Sequence, residues 1–190
     1  MINAVIAFAE KCRYEKNHAM AVARHALSFF DALTERHKLG AKERLLLQSG
    51  ALLHDIGFSA GADCHHKAAR DMILISPDLP FGPRERVIVA LIARYHRRAL
   101  PAPQHKYYID CSPEDQKLIS ALASFVRLSD GLDRSHRGLV SGLKIEDKGE
   151  MVEVGLVSKD PCAAELDYAV RKTDLFNAVW NVKARFFCVS

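Results

Sequence analysis

Residues 51–58 read Ala-Leu-Leu-His-Asp-Ile-Gly-Phe, which places His54 and Asp55 side by side at the end of an apolar helical run. Burying an unpaired carboxylate costs several kcal/mol, so a buried Asp normally has a partner or a metal. His54 offers a nitrogen ligand and Asp55 an oxygen ligand, and Gly57 is a residue that ends helices. Taken alone, the pair reads more readily as a capping Asp beside an incidental His than as a metal site. Three further polar residues fall on faces that should be apolar. His96 follows Ile88 and Ile92 at steps of four, and Asp130 follows Leu122 and Val126 at the same step. His18 begins a helix whose inner face continues through Val22 and Ala26. One shared centre explains these inward His and Asp residues better than separate accidents. Imidazole and carboxylate together suit Fe, Mn, Zn, Ni or Co rather than Ca, and the absence of thiolates argues against a structural zinc. His65-His66-Lys67 adds a further ligand candidate, with a solvated helix start as the plain alternative.

The elements that must position these groups are mostly helical. The pattern predicts helices over residues 1–13, 18–37 (Asn17 as cap), 41–55, 65–76, 84–98 and 112–132. The 41–55 helix is apolar most of the way round and is expected to lie centrally. Ser112-Pro113-Glu114-Asp115 is a helix start, with a cap, a proline in the first turn and acids at the positive end of the dipole. Residues 58–64, 77–83 and 99–111 read as loops. From about residue 140 the period becomes alternating. Leu143–Glu146 and Met151–Ser158 read as strands around Asp147-Lys148-Gly149, then a helix over 163–180 and a last strand over 185–189. The fold class is therefore mainly α, with a small C-terminal α+β appendage. The expected division is 1–140 for the helical metal-binding domain and 141–190 for the appendage.

Composition bounds the answer. The chain has 190 residues, 49% hydrophobic and 26% charged, which suits one ordinary domain. The first ten residues read as an amphipathic helix and not a signal peptide, and no apolar run is long enough for a membrane span. Five widely spaced cysteines, with no Cys-x-x-Cys pair, point to a reducing cytoplasm rather than a disulfide framework. A net charge of +4 is too small to argue for a nucleic-acid partner, but suits a local anion site.

The order His18, His54-Asp55, His65 or His66, His96, Asp130 resembles the ligand order of the HD-domain metal-dependent phosphohydrolases. Residues 51–57, 93–101 and 127–136 resemble more narrowly the C-terminal HD domain of the exopolyphosphatase and guanosine pentaphosphate phosphatase (Ppx/GppA) family. The resemblance implies an HD-type helical bundle around one or two divalent metal ions. It implies His18, His54, Asp55 and Asp130 as ligands of the basic site, with His66 and His96 as the extra histidines of a second one and Asp55 bridging. The implied chemistry is attack on phosphorus by metal-activated water, with Asp55 or Asp130 orienting the nucleophile. Lys67, Arg97, Arg98, Arg134 and His136 follow the ligand positions and are candidate phosphate contacts, Lys67 beside the reacting group; His65 is the remaining substrate-side candidate. Two departures stand out. The double histidine is followed by Lys67-Ala68-Ala69 where the family pattern has Lys-His-Ser, which leaves His65 and His66 both open as the ligand. The actin-like domains that carry exopolyphosphatase chemistry are not in the sequence, so that activity is not carried over.

Three outcomes are weighed. The first is a metal-dependent phosphohydrolase of a phosphorylated small molecule such as a nucleotide. The second is a non-catalytic module that senses a phosphoanion, polyphosphate or a guanosine nucleotide. The third, weakest, is nucleic-acid binding. His25 and His37 read as ordinary helix residues, and Arg94 as a partner for an acid. His105 lies in a loop that could fold over the site, and Tyr107 and Tyr108 read as a surface cluster that could stack on a base. The tail from residue 141 carries no chemical motif, and its apolar hairpin could pair two chains as a homodimer.

Overall fold

The computed structural model describes residues 1–58, 61 and 63–189. Among these it contains nine helices and a three-stranded sheet: α1 (Ile2–Lys11), α2 (Lys16–Ala32), α3 (Thr34–His37), α4 (Ala41–Leu53), α5 (His65–Ile75), α6 (Pro83–Arg94), α7 (Pro113–Gly131), β1 (Val140–Asp147), β2 (Met151–Ser158), α8 (Ala163–Arg171), α9 (Thr173–Trp180) and β3 (Lys183–Val189). The fold is mainly α with a small α+β appendage, as the period change near residue 140 predicts. Part of the predicted 58–64 loop lies outside the described residues.

Local chemistry starts the helices. Ser112 Oγ accepts the Asp115 N–H at 3.2 Å, and Pro113 occupies the first turn of α7. The Glu43 and Glu85 carboxylates accept the N–H groups of Gly40 and Gly82, at 2.9 and 3.2 Å, ahead of α4 and α6. Several helices stop earlier than periodicity predicts, and hydroxyl or imidazole groups next to the breaks bond backbone carbonyls. The predicted 18–37 helix breaks at Leu33, where the Thr34 hydroxyl donates to the Asp31 and Phe30 carbonyls. The predicted 163–180 helix breaks at Lys172, where the Thr173 hydroxyl donates to Val170 O at 2.9 Å. The predicted 84–98 helix ends at Arg94, and the 41–55 helix at Leu53. His96 and the His54-Asp55 pair therefore sit in turns just beyond helix ends, where the chain can point successive side chains the same way.

Helix α7, rather than α4 alone, is the hub: it packs on α2, α4, α6, α8 and α9. Phe29 of α2, Phe125 of α7, and Phe176 and Trp180 of α9 form one aromatic cluster, with Phe125 and Trp180 stacked at 5.4 Å. The sheet order is β1-β2-β3, β1 antiparallel and β3 parallel to β2, with α8 and α9 making the crossover. Val152, Val154 and Leu156 alternate inward from β2 and are fully buried in the same core as the helices. Arg36 fixes the hairpin turn from α3, donating to Asp147 Oδ2 at 2.8 Å and to the Gly149 carbonyl at 2.6 Å. No helix among the described residues is long and apolar enough to cross a membrane.

Candidate metal centre

Two turns and three helices bring the polar groups together. The turn after α4 delivers His54 and Asp55, the turn after α6 delivers His96, and the first turns of α2 and α5 deliver His18 and His65. The last turn of α7 delivers Asp130. All four of these histidines are buried to within a few per cent.

Their tautomers follow from what each Nδ1 meets. His54 Nδ1 lies 2.7 Å from the Ala51 carbonyl and His96 Nδ1 lies 2.6 Å from the Ala93 carbonyl. A carbonyl only accepts, so both Nδ1 atoms carry the proton and both Nε2 atoms carry a lone pair. His18 Nδ1 donates to the buried Asp133 Oδ2 at 2.9 Å, which sets its Nε2 in the same way. Such outer hydrogen bonds orient imidazoles towards metals.

The Nε2 atoms then crowd one another. His18 and His54 Nε2 are 3.3 Å apart, as are His65 and His96 Nε2. The His18 and His54 lone pairs repel at that distance unless a proton or a cation lies between them. Asp55 stands between the two pairs. Its Oδ2 is 3.5 Å from His54 Nε2 and 3.9 Å from His18 Nε2, and its Oδ1 is 3.1 Å from His65 Nε2 and 3.4 Å from His96 Nε2. Asp55 Oδ1 is buried and has no aligned hydrogen-bond donor. Asp130 Oδ1 lies 3.4 Å from His18 Nε2 and 3.7 Å from His54 Nε2. The groups His18-His54-Asp55 and Asp55-His65-His96 could each hold a metal ion, and Asp55 belongs to both. An orphaned carboxylate oxygen facing imidazole lone pairs, with no thiolate, fits a divalent transition ion.

The electrostatics agree. Burial opposes ionisation of Asp55, but His54, His65 and His96 outweigh it and hold the carboxyl well below its usual range. Burial likewise opposes a charged Asp130, and Lys172 with His18 and His54 overcomes it. Burial and His54 drive His96 well below its ordinary value, so its ring is neutral. His18 behaves oppositely: burial disfavours its charge, but Asp130 and Asp133 push it up to about 10. In the metal-free protein, therefore, a proton sits on His18 where a cation would compete for the same electrons.

Above the centre opens a cleft of about 540 Å3, lined on its basic side by Arg97, Arg98, Arg134, His136 and Lys172. Arg98 pairs with Asp63 at 2.6 Å, and Arg134 covers the Tyr168 ring at 4.5 Å. His136 stacks on His18 with ring centroids 3.8 Å apart and is held by Glu15 at 2.7 Å, so it buttresses a candidate ligand as well as lining the cleft.

Three expectations change. His65, not His66, faces Asp55 and His96; adjacent residues on a helix diverge by about 100°, so only one can turn inward. His66 is buried elsewhere, its Nδ1 unpartnered, and burial together with Arg94 and other cations lowers it to about 4. Lys67 is exposed and is not among the residues lining the cleft. Arg94 makes no ion pair among the described residues and lies over the Tyr95 ring instead. Sequence reasoning missed Asp133 and Lys172. Asp133 had a signal, an acid three residues after Asp130, although it lies in the turn just beyond α7. Lys172, whose ammonium pairs with Asp130 Oδ2, had none: it depends on the break between α8 and α9. The tail read as chemically silent thus supplies a cation and an aromatic ring, Tyr168, to the cleft.

A family model described as Ppx/GppA phosphatase, domain III, matches residues 2–166, and the chain belongs to that family. No curated protein matches the chain.

Proposed function

We propose that this member of the Ppx/GppA phosphatase domain III family is an HD-type phosphohydrolase that uses one or two divalent transition ions to hydrolyse a phosphoester or nucleotide. One observation carries the reading: the Nε2 lone pairs of His18, His54 and His96, each set by a hydrogen bond at Nδ1, converge on Asp55, whose buried Oδ1 has no donor. His18, His54, Asp130 and Asp55 would hold one ion, and His65, His96 and Asp55 a second, with Asp55 bridging. A divalent transition ion held there supplies Lewis acidity at phosphorus and lowers the pKa of bound water.

The chain's own groups do the rest. Arg97, Arg98, Arg134 and Lys172 line the cleft, where they would neutralise charge developing on phosphoryl oxygens. Asp130 is held ionised by Lys172, which makes it a poor proton acceptor and suits it to orienting a nucleophile. His136, tied to Glu15 and stacked on His18, keeps that ring in place. Lys67 has no part in this scheme.

The test is metal content of the purified protein, followed by hydrolysis of a panel of phosphoesters and nucleotides with added manganese, alongside His54→Ala and Asp55→Ala. The reading expects a bound transition metal and turnover in the wild type, both lost in the variants with helicity retained. Absence of metal and turnover, with binding of polyphosphate or guanosine nucleotides intact, would establish the phosphoanion-sensing module instead.

A further inference from the structure

Phosphate chemistry leaves one residue of the cleft without a task. Phe58, at the end of the His54-Asp55 turn, is 54% exposed and lines the cleft beside the cations. Its ring lies over the His65 imidazole, with centroids 5.1 Å apart and planes 23° apart. An exposed phenylalanine is costly to hydrate, and neither a phosphate group nor a divalent ion gains from it. The cleft's other aromatic ring, Tyr168, is engaged within the chain: Arg134 lies 4.5 Å and Arg171 5.6 Å from its centroid. Among the described residues Phe58 is the most exposed ring lining the cleft, and its near-parallel seat on His65 presents a flat stack rather than an edge. The cleft, at about 540 Å3, has room for more than a phosphate.

We propose that Phe58 is a stacking platform for a nucleobase, so that the phosphoester taken by this site is a nucleotide. The phosphate lies among Arg97, Arg98, Arg134 and Lys172, and the base lies on Phe58, which His65 supports from beneath. This assignment deepens the phosphohydrolase reading and rests on it for the turnover measurement only. Base–aromatic stacking tolerates any base, because each has a π face. The platform therefore distinguishes nucleotides from base-free phosphoesters rather than one base from another.

The probes are a set of nucleoside 5′-monophosphates and ribose 5-phosphate, which keeps the sugar and phosphate but lacks the base. Binding and manganese-dependent turnover are measured for the wild type, Phe58→Ala and Phe58→Trp. The wild type is expected to favour the nucleotides by about tenfold. Phe58→Ala should lose that advantage through KM, so that the ratio of nucleotide to ribose 5-phosphate falls to about one, and Phe58→Trp should restore it. Equal treatment of both probes by the wild type, or equal effects of Phe58→Ala on both, overturns the platform while leaving the phosphohydrolase reading intact. Base-dependent binding that Phe58→Ala abolishes, with no turnover of either probe, supports the platform and refutes the phosphohydrolase.

Discussion

Asp133→Asn tests the centre without touching a candidate ligand. Asp133 is buried, and both of its oxygens accept: Oδ2 from His18 Nδ1 at 2.9 Å and Oδ1 from the Gly138 N–H at 2.8 Å. Asparagine is nearly isosteric but offers one acceptor and one donor in the same place. If its oxygen keeps Gly138, its amide N–H faces His18, and the imidazole must move its proton from Nδ1 to Nε2. That is the atom turned towards Asp55 and Asp130. If the oxygen keeps His18, the amide opposes a backbone N–H and the turn that carries Asp133 is disturbed. Outer partners of metal-bound histidines are worth about 10- to 100-fold in affinity, roughly 1.4 to 2.7 kcal/mol. The assay is calorimetric titration of manganese or cobalt into metal-free wild type and Asp133→Asn, with circular dichroism to confirm that both are folded. Kd is expected to rise by that factor, and the metal-induced rise in Tm to shrink with it. Affinity within twofold of wild type in a folded variant would refute the claim that Asp133 sets the His18 lone pair.

Three further outcomes are expected. His25 is buried with neither ring nitrogen bonded, and burial, helped by Arg24, lowers its pKa from 6.5 to about 4. The unfolded chain takes up that proton first, so the stability tied to neutral His25 is complete above pH 6.5 and is lost as pH falls towards 4, by up to about 3 kcal/mol. Denaturant melts at pH 7 and pH 4.5 should therefore show a smaller acid loss in His25→Leu than in wild type; equal losses would exclude His25 as the cause. Lys172→Met removes a cation paired with Asp130. Metal should bind as tightly or tighter, while kcat/KM falls by about 10- to 100-fold through lost charge stabilisation; loss of metal instead would show that Lys172 holds Asp130 in place. At Gly57 a Cβ would lie 2.3 Å from His65 O and 2.5 Å from Ala69 N, backbone atoms that cannot swing aside. Gly57→Ala should cost about 1–3 kcal/mol and displace α5, so that a two-ion stoichiometry falls to one; an unchanged Tm and stoichiometry would show that α5 yields freely.

What could be read in advance divides according to how far apart in the chain the deciding residues lie. The Ser112 start of α7, the hairpin at Gly149 and the inward steps of Leu122, Val126 and Asp130 depend on neighbours within a turn or two, so propensity and period suffice. His65 against His66 does not. The choice depends on where α5 begins and on how closely Gly57 lets it approach the His54-Asp55 turn, and a one-residue shift of that start would exchange the two rings. Lys172 is harder still. Its partner Asp130 is 42 positions away, and the break at Thr173 that turns it inward looks in sequence like an unbroken amphipathic helix. Where helices end matters more to this centre than where they run: His54, Asp55 and His96 all act from the turn after a helix whose periodicity pointed inward, and the outward-looking tail becomes a wall of the cleft because one helix stops. A substitution that extended α8 into α9 would thus pull Phe176 and Trp180 from their seat on Phe125 and withdraw the cation from Asp130 in the same movement.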